Sequence, residues 1–167
     1  FLRAAALISA RRSDLQFVII GEDKSSEKNY RTFLENLISE LGLNGSVTMP
    51  GWQGDMSRVL SSLTLFVSAA RSEPFGLSIV EAMATGLPVI ASASEGASEI
   101  LEDERTGKLV PIDDADALAE AINHLLDNPA ERSRLGHNAQ LTARQRYSLT
   151  RMAIDTERVY SEVLAAP

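Results

Sequence analysis

The sequence has no cysteine, only two histidines and few aromatic side chains, which make up 5% of its 167 residues. The absence of cysteine excludes a disulfide framework and any metal site built from thiolates, and it fits a reducing compartment such as the cytoplasm. No apolar run approaches the ~20 residues that a membrane-spanning helix needs. These absences favour a cytoplasmic protein with no transmembrane segment.

The sequence has fewer basic than acidic residues: it contains 16 Lys and Arg and 23 Asp and Glu, so that its formal net charge is −7. A net acidic chain is a poor general binder of nucleic acid or anionic lipid. We therefore expect no nucleic-acid partner. An anionic ligand would have to be held locally, by the N-terminus of a helix and a few basic side chains.

Short apolar runs typical of buried strands alternate with segments of helical periodicity. The predicted strands are Leu15–Ile20, Val47–Met49, Leu63–Val67, Pro88–Ala91 and Lys108–Val110. The predicted helices are the opening segment, Glu27–Leu41, a short helix capped by Asp55, Leu77–Thr85, one around Ser98–Leu101, Asp116–Leu126, Ala130–Arg146 and Leu149–Leu164. The alternation predicts a doubly wound, Rossmann-like parallel α/β sheet with extra C-terminal helices. We expect one domain over 1–167 with a helical tail at about 148–165.

The first residues already show helical periodicity, with no initiating methionine and no N-capping residue before Phe1. We therefore expect the chain to be part of a longer protein. Ligands of doubly wound sheets bind outside the C-terminal ends of the strands. The turn that begins at Gly21 lacks the G-x-G-x-x-G pattern, so a nicotinamide or flavin site is not expected there.

The segment 72–90 carries the chemical signal. A turn containing Pro74 and Gly76 leads into a helix, and Gly76 permits close approach of a ligand to the backbone. The amides of Leu77 and Ser78 would point out of the helix N-terminus, where free N–H groups and the positive dipole end favour an anion such as a diphosphate.

Two glutamates flank this anion cradle. Glu73 precedes it and Glu81 lies one turn inside the helix. A carboxylate accepts hydrogen bonds from hydroxyl groups but repels phosphate. The pair therefore suits a sugar and a ribose on either side of a diphosphate, whereas the competing interpretation is a solvated helix N-terminus, where acidic residues are common.

The stretch EPFGLSIVEAMATGLPVIAS resembles the paired-glutamate signature of the glycosyl transferases group 1, the family-four retaining glycosyltransferases of GT-B fold. The opening FLRAAALISARRSDLQFVIIGED and the closing RYSLTRMAIDTERVYSEVL also resemble that family, so the resemblance covers nearly the whole chain. It implies two Rossmann-like domains, of which the C-terminal one, represented by this chain, binds the nucleotide-sugar donor.

The resemblance also implies roles for individual residues. Glu73 would contact the donor sugar as the catalytic glutamate, and Glu81 would bind the ribose hydroxyls. The backbone of Phe75, Gly76 and Leu77 would meet the sugar or the diphosphate, with Ser78 beside them.

Four further donor-site residues are implied at the ends of other strands. Trp52 and Gln53 lie where the family places the nucleobase, although Trp52 would equally serve to cover the end of the core. Arg71 is a candidate near the phosphates, and Gly21 belongs to the family's strand–glycine turn. The resemblance places an acceptor domain, and an Arg and a Lys that neutralise the diphosphate, upstream of Phe1.

A D-x-D pattern at Asp114 and Asp116 invites comparison with metal-dependent glycosyltransferases. An apolar helical stripe follows at once, so we interpret Asp113, Asp114 and Asp116 as helix-capping residues. We predict a metal-independent reaction with no cofactor. His124 and His137 are expected on the late helices, as surface or packing residues rather than catalytic bases.

These features predict the donor-binding domain of a retaining glycosyltransferase. The acceptor, a glycan or a lipid, would bind the upstream domain, and the isolated chain would bind donor weakly and transfer nothing. The full protein would be cytoplasmic, with peripheral association at the inner membrane face left open. Two alternatives are a non-catalytic nucleotide-binding regulatory domain and one half of a sugar-nucleotide epimerase of GT-B type.

Overall fold

The chain is described by a computed structural model that covers residues 1–23 and 29–165. Its strands are β1 (Phe17–Ile20), β2 (Val47–Gly51), β3 (Phe66–Ser68), β4 (Val89–Ser92) and β5 (Lys108–Val110). Its helices are α1 (Leu2–Ser9), α2 (Asn29–Glu40), α3 (Met56–Ser61), α4 (Leu77–Thr85), α5 (Glu95–Ile100), α6 (Ala115–Asp127), α7 (Pro129–Arg146) and α8 (Leu149–Ala165). The predicted α/β alternation and the three late helices are confirmed.

All strand pairs in the described residues are parallel, as predicted, but their hydrogen-bonded ladders fall into two groups. One group contains β1 and β2, and the other has the order β3-β4-β5. A groove of about 670 Å³ separates β1 from β3. We call it the inter-sheet groove, and its lining includes Val18, Ile20, Phe66, Ser68 and Ser78.

The centre of the fold is β4, whose four residues are all buried. Successive side chains of a strand point to opposite faces, so β4 contributes to two cores. Ile90 belongs to a cluster that includes buried residues of α1, α2 and α6. Val89 and Ala91 belong to a second cluster with buried residues of α4, α5 and α7. The helices therefore cover both faces of the sheet.

Two predicted boundaries are wrong by three residues, more than any other in the described residues. The amide of Leu63 donates to the carbonyl of Leu60 at 3.1 Å, so Leu63 still belongs to the exit turn of α3, and β3 begins only at Phe66. The amide of Ser98 donates to the carbonyl of Ser94 at 2.9 Å, so α5 starts at Glu95, three residues before the predicted position. The predicted start of the second helix, at Glu27, lies outside the described residues.

The helical tail is confirmed, and α8 buries none of its residues. Four exposed apolar residues share one side of this helix, namely Met152, Val159, Tyr160 and Val163. Within residues 1–23 and 29–165, no helix combines the length and the apolar composition needed to cross a bilayer.

An exposed pair joins α6 to α7 and gives the fold a pH-dependent contribution. Nε2 of His124 lies 2.6 Å from Oε2 of Glu131, and this hydrogen bond lowers the pKa of Glu131. A carboxyl group whose pKa is lower in the folded than in the unfolded state stabilises the fold above its unfolded pKa. That stabilisation disappears as the pH falls through the lower, folded-state pKa.

We therefore expect Glu131→Gln to lower the melting temperature at about pH 5.5, which is above the ordinary pKa of a glutamate, so that Glu131 is ionised in the folded and the unfolded chain. The difference from the unsubstituted chain should shrink as the pH is lowered further, through the lowered pKa that Glu131 has in the folded state. Exposed pairs contribute about 0.2–1 kcal/mol, so the shift should be small. Thermal unfolding over this pH range measures it, with the exposed Glu120→Gln on α6 as control. Equal shifts for the two variants would contradict the assignment.

Candidate functional site

The N-terminus of α4 has the open amides that the sequence predicts. Gly76 is the N-cap residue, and it has no side chain to cap the helix. The amides of Ile79 and Val80 donate to the Gly76 carbonyl at 3.0 and 3.1 Å. The amides of Leu77 and Ser78 have no acceptor among the described residues. Two donors and the positive end of the helix dipole are therefore available to an anion.

Glycine is required at position 76 for two reasons. Its φ of +106° lies in the left-handed region, which strains a residue with a side chain. A Cβ atom there would also lie 3.0 Å from Cδ1 of Ile100 and 3.2 Å from Cδ1 of Ile79. The turn into α4 is thus packed directly against α5.

The two predicted glutamates lie on either side of this turn. Glu73 is half-buried in the loop before Gly76, and Glu81 is exposed on α4. Glu81 is four residues after Leu77, about 6 Å along the helix axis and on the same face. Leu77 is exposed, so that face is open to solvent. Neither carboxylate forms a hydrogen bond or an ion pair with the described residues, and both can accept hydrogen bonds from a ligand.

The ring of Phe75 is engaged by the end of α7. It packs edge-on against Tyr147, with 6.0 Å between ring centroids. The guanidinium of Arg146 also lies over the Tyr147 ring, 5.3 Å from its centroid. Burial raises the pKa of the Tyr147 phenol. The ring of Phe75 is thus held by Tyr147, and the predicted contact of its backbone with a ligand stays a prediction.

Arg71 is the basic side chain that follows β3, and it forms an ion pair with Asp113. Nε of Arg71 lies 2.7 Å from Oδ1 of Asp113, and this hydrogen bond raises the pKa of Arg71. Both side chains are exposed, and exposed pairs are weak enough to exchange for another anion. Arg71 is thus positively charged but already engaged by a carboxylate.

The predicted capping role of Asp113 is wrong, whereas that of Asp114 is confirmed. Oδ1 of Asp114 accepts from the amide of Ala117 at 2.8 Å, which makes Asp114 the N-cap of α6. Asp113 has a φ of 63°, which turns the chain just before the cap. Its carboxylate accepts a hydrogen bond from Arg71 instead of capping the helix. Asp tolerates this left-handed conformation better than most residues.

The other predicted residues lie at the ends of β1 and β2. Trp52 follows β2 and is 69% exposed, so the interpretation that it covers the end of the core is wrong. The side-chain amide of Gln53 donates to the carbonyl of Pro50 at 3.4 Å, within its own turn. The amide of Gly21 donates to the carbonyl of Gly51 at 3.2 Å and ties the ends of the two strands together.

The predicted site residues therefore form two groups. One surrounds the N-terminus of α4, and the other lies at the ends of β1 and β2. No hydrogen bond or ion pair among residues 1–23 and 29–165 joins Trp52 or Gln53 to the α4 group. Ser78 and Ile20 both line the inter-sheet groove, so this groove runs between the two groups.

Sequence reasoning missed the partner of Arg71 and a glycine on α5. Nothing in the sequence pairs Arg71 with Asp113, which is 42 residues away. Gly96 lies in the first turn of α5, before the predicted start of that helix, so nothing in the sequence indicated that a helical glycine packs there. Its amide donates to the carbonyl of Glu73 at 3.0 Å.

The described residues contain no group of three or more His, Asp or Glu side chains able to hold a metal ion. The two histidines are exposed on α6 and α7, as predicted. His124 contacts Glu131 rather than the loops at the strand ends.

The family model described as "Glycosyl transferases group 1" matches residues 1–142. The chain belongs to this family. It is 32% identical to alpha-D-kanosaminyltransferase of Streptomyces kanamyceticus over 165 residues, which is 98% of the chain and 42% of that protein. It is 34% identical to D-inositol 3-phosphate glycosyltransferase of a Nocardioides species, over 98% of the chain and 38% of that protein. The chain thus spans less than half the length of these relatives.

Two solved structures show the same fold over nearly the whole chain. The Anabaena protein HepE, solved in complex with UDP and glucose, superimposes with a TM-score of 0.88 and 28% identity, over 96% of this chain and 44% of HepE. Sucrose-phosphate synthase of Thermosynechococcus elongatus gives a TM-score of 0.88 and 33% identity, over 99% and 43%. The predicted GT-B type of α/β domain is confirmed.

Proposed function

We propose that the chain is the donor-binding domain of a retaining glycosyltransferase, and that its donor is a UDP-sugar. The observation that carries the proposal is the N-terminus of α4, where two free amides lie between two carboxylates that have no partner. Family membership and the UDP complex of HepE support the choice of nucleotide.

In this proposal the diphosphate lies against the amides of Leu77 and Ser78. Glu81 accepts hydrogen bonds from the ribose hydroxyls, and Glu73 accepts one from a hydroxyl of the sugar. Arg71 exchanges Asp113 for a phosphate oxygen, which adds positive charge beside the leaving group. Trp52 and Gln53 bind the base on the other side of the inter-sheet groove, and Gly21 lies beside them at the end of β1.

The proposed reaction breaks the bond between the anomeric carbon of the sugar and the diphosphate. A hydroxyl of the acceptor forms the new bond on the same face, and its proton passes to the leaving phosphate, so that the free nucleoside diphosphate is the second product. The acceptor is a glycan or a lipid held by a domain outside this chain. We place the full protein in the cytoplasm, with peripheral contact to the inner membrane face when the acceptor is a lipid.

A thermal-shift panel of UDP, GDP and ADP, each with and without EDTA, tests the proposal. We expect UDP to give the largest rise in melting temperature, because a ligand that binds only the folded state stabilises it by mass action. We expect EDTA to leave that rise unchanged, since the proposed site contains no metal. Stabilisation by GDP or ADP alone would overturn the choice of nucleotide, and no stabilisation by any of the three would overturn the donor site.

The same panel separates the alternatives. A regulatory nucleotide-binding domain would respond to UDP even when Glu73 and Glu81 are both replaced by glutamine. The donor site requires that this double replacement removes most of the response. An epimerase would convert the sugar of UDP-glucose without an acceptor, which can be followed by product analysis of the full-length protein.

A further inference from the structure

We infer that Gly96 is a positioning residue for Glu73, so that the first turn of α5 sets where the sugar-binding carboxylate lies. The inference rests on the proposed function, because it concerns the sugar half of the same site. Gly96 itself is buried, and it contributes no side chain to any ligand.

The first observation is a direct hydrogen bond between the two backbones. The amide of Gly96 donates to the carbonyl of Glu73 at 3.0 Å. Glu73 has no side-chain partner among the described residues, so its carboxylate is positioned by the backbone on which it is carried. That backbone is tied to α5 by this bond.

The second observation is how closely the backbone of Gly96 approaches the backbone of the loop from Glu73 to Phe75. A Cβ atom on Gly96 would lie 2.3 Å from the carbonyl oxygen of Glu73 and 2.6 Å from that of Phe75. Real Cβ atoms do not come within 3.0 Å of a backbone oxygen, and a backbone cannot rotate out of the way as a long side chain can. Any side chain at this position therefore moves the Glu73–Phe75 loop away from α5.

The third observation is that α5 touches the same loop a second time. Cδ1 of Ile100 lies 3.0 Å from the Cβ position of Gly76, and Cγ of Glu73 lies 3.4 Å from it. Glu73, Gly76 and α5 thus form one packed unit. The amides of Leu77 and Ser78 belong to α4, whose main packing partner is α7 rather than α5. The sugar side of the site can therefore shift more than the diphosphate side.

The test is Gly96→Ala, with the affinities of UDP and UDP-glucose measured separately by isothermal titration calorimetry on the complete 167-residue chain. We expect the affinity for UDP-glucose relative to UDP to fall by about tenfold, because a displaced carboxylate loses a charge-assisted hydrogen bond to the sugar. The affinity for UDP itself should change by less than about threefold, which is under 1 kcal/mol.

Gly136→Ala is the matched control. A Cβ atom on Gly136 would lie 2.2 Å from the carbonyl oxygen of Gly86, an encroachment of the same size, at the opposite end of α4. This substitution disturbs the core cluster formed by α4, α5 and α7, without contacting the loop that carries Glu73. The control should therefore leave the ratio of the two affinities as it is in the unsubstituted chain.

A second pair of variants serves if Gly96→Ala does not fold. Ile100→Val deletes the methyl group that supports Gly76 and should lower the same ratio to a smaller extent. Ile8→Val deletes the same group from the other core, where Ile8 is buried, and should not change it.

The outcomes are distinguishable. An unchanged ratio in Gly96→Ala and Ile100→Val, with both ligands still bound, would overturn the positioning role and leave the proposed function standing. An equal fall in the ratio for Gly136→Ala would show a general loss of packing and would also overturn it. Failure of the unsubstituted chain to bind UDP or UDP-glucose would overturn the proposed function, and this inference with it.

Discussion

Replacing Gly136 by alanine is expected to destabilise the fold by about 3 kcal/mol, the upper end of the range for overpacked cores. The added methyl group would lie 2.2 Å from the Gly86 carbonyl oxygen and 3.3 Å from the backbone nitrogen of Pro88. Both atoms are backbone, so relief requires α7 to move away from α4. That movement would disturb the cluster that contains Ala82, Met83 and Ala139.

Thermal or urea unfolding measures the effect, and a loss of about 3 kcal/mol corresponds to a fall of about 6–12 °C in melting temperature for a domain of this size. Gly54→Ala is the control, because its methyl group would meet only the exposed Trp52 ring at 3.4 Å, an ordinary contact distance. Similar melting temperatures for the two variants would show that α7 is not packed on α4 as closely as the structure indicates.

The second large effect is expected at Glu81. Glu81→Gln should weaken UDP binding by about 10- to 100-fold, because hydrogen bonds to a charged group contribute about 1.5–3 kcal/mol. Removing one carboxylate beside a diphosphate also relieves repulsion, but Glu81 lies about 6 Å along the helix from the free amides, which limits that gain.

Calorimetric titration with UDP measures the loss. Glu99→Gln, at an exposed position of α5, is the control for removal of one negative charge. Glu73→Gln should leave UDP affinity nearly unchanged and weaken UDP-glucose, since its proposed partner is the sugar. If Glu99→Gln weakened UDP as much as Glu81→Gln does, a general charge effect would replace the ribose contact.

Much of the fold could be predicted from the sequence because its strands are continuous apolar runs and its helices have clear stripes. The segment from Pro88 to Ala91 predicts a buried strand, and β4 is buried on both faces. Prediction failed where a short segment is compatible with two local structures. Leu63 is apolar and lies three residues before the start of β3, yet its amide completes the turn that ends α3. The early start of α5 could not be seen because its first turn contains Gly96, a poor helix former that is present for a tertiary contact.

In the candidate site, too, the local features could be predicted and the long-range contacts could not. The cradle at Gly76, Leu77 and Ser78 is contiguous in sequence, so its local geometry followed from the turn and the helix start. The pairing of Arg71 with Asp113 and the packing of Gly96 on Glu73 join segments that are distant along the chain. Local periodicity contains no information on such contacts, because it describes each element separately.

The inter-sheet groove has a consequence for strand pairing. Among the described residues, β1 is bonded only to β2 and β3 only to β4, so each presents an unpaired edge to the groove. Crossovers between parallel strands are right-handed, and α1 and α2 contribute to the same core on one face. A strand that leads into α1 would therefore lie on the side of β1 away from β2. One added parallel strand at that place would satisfy both edges at once and merge the two ladders into a single sheet.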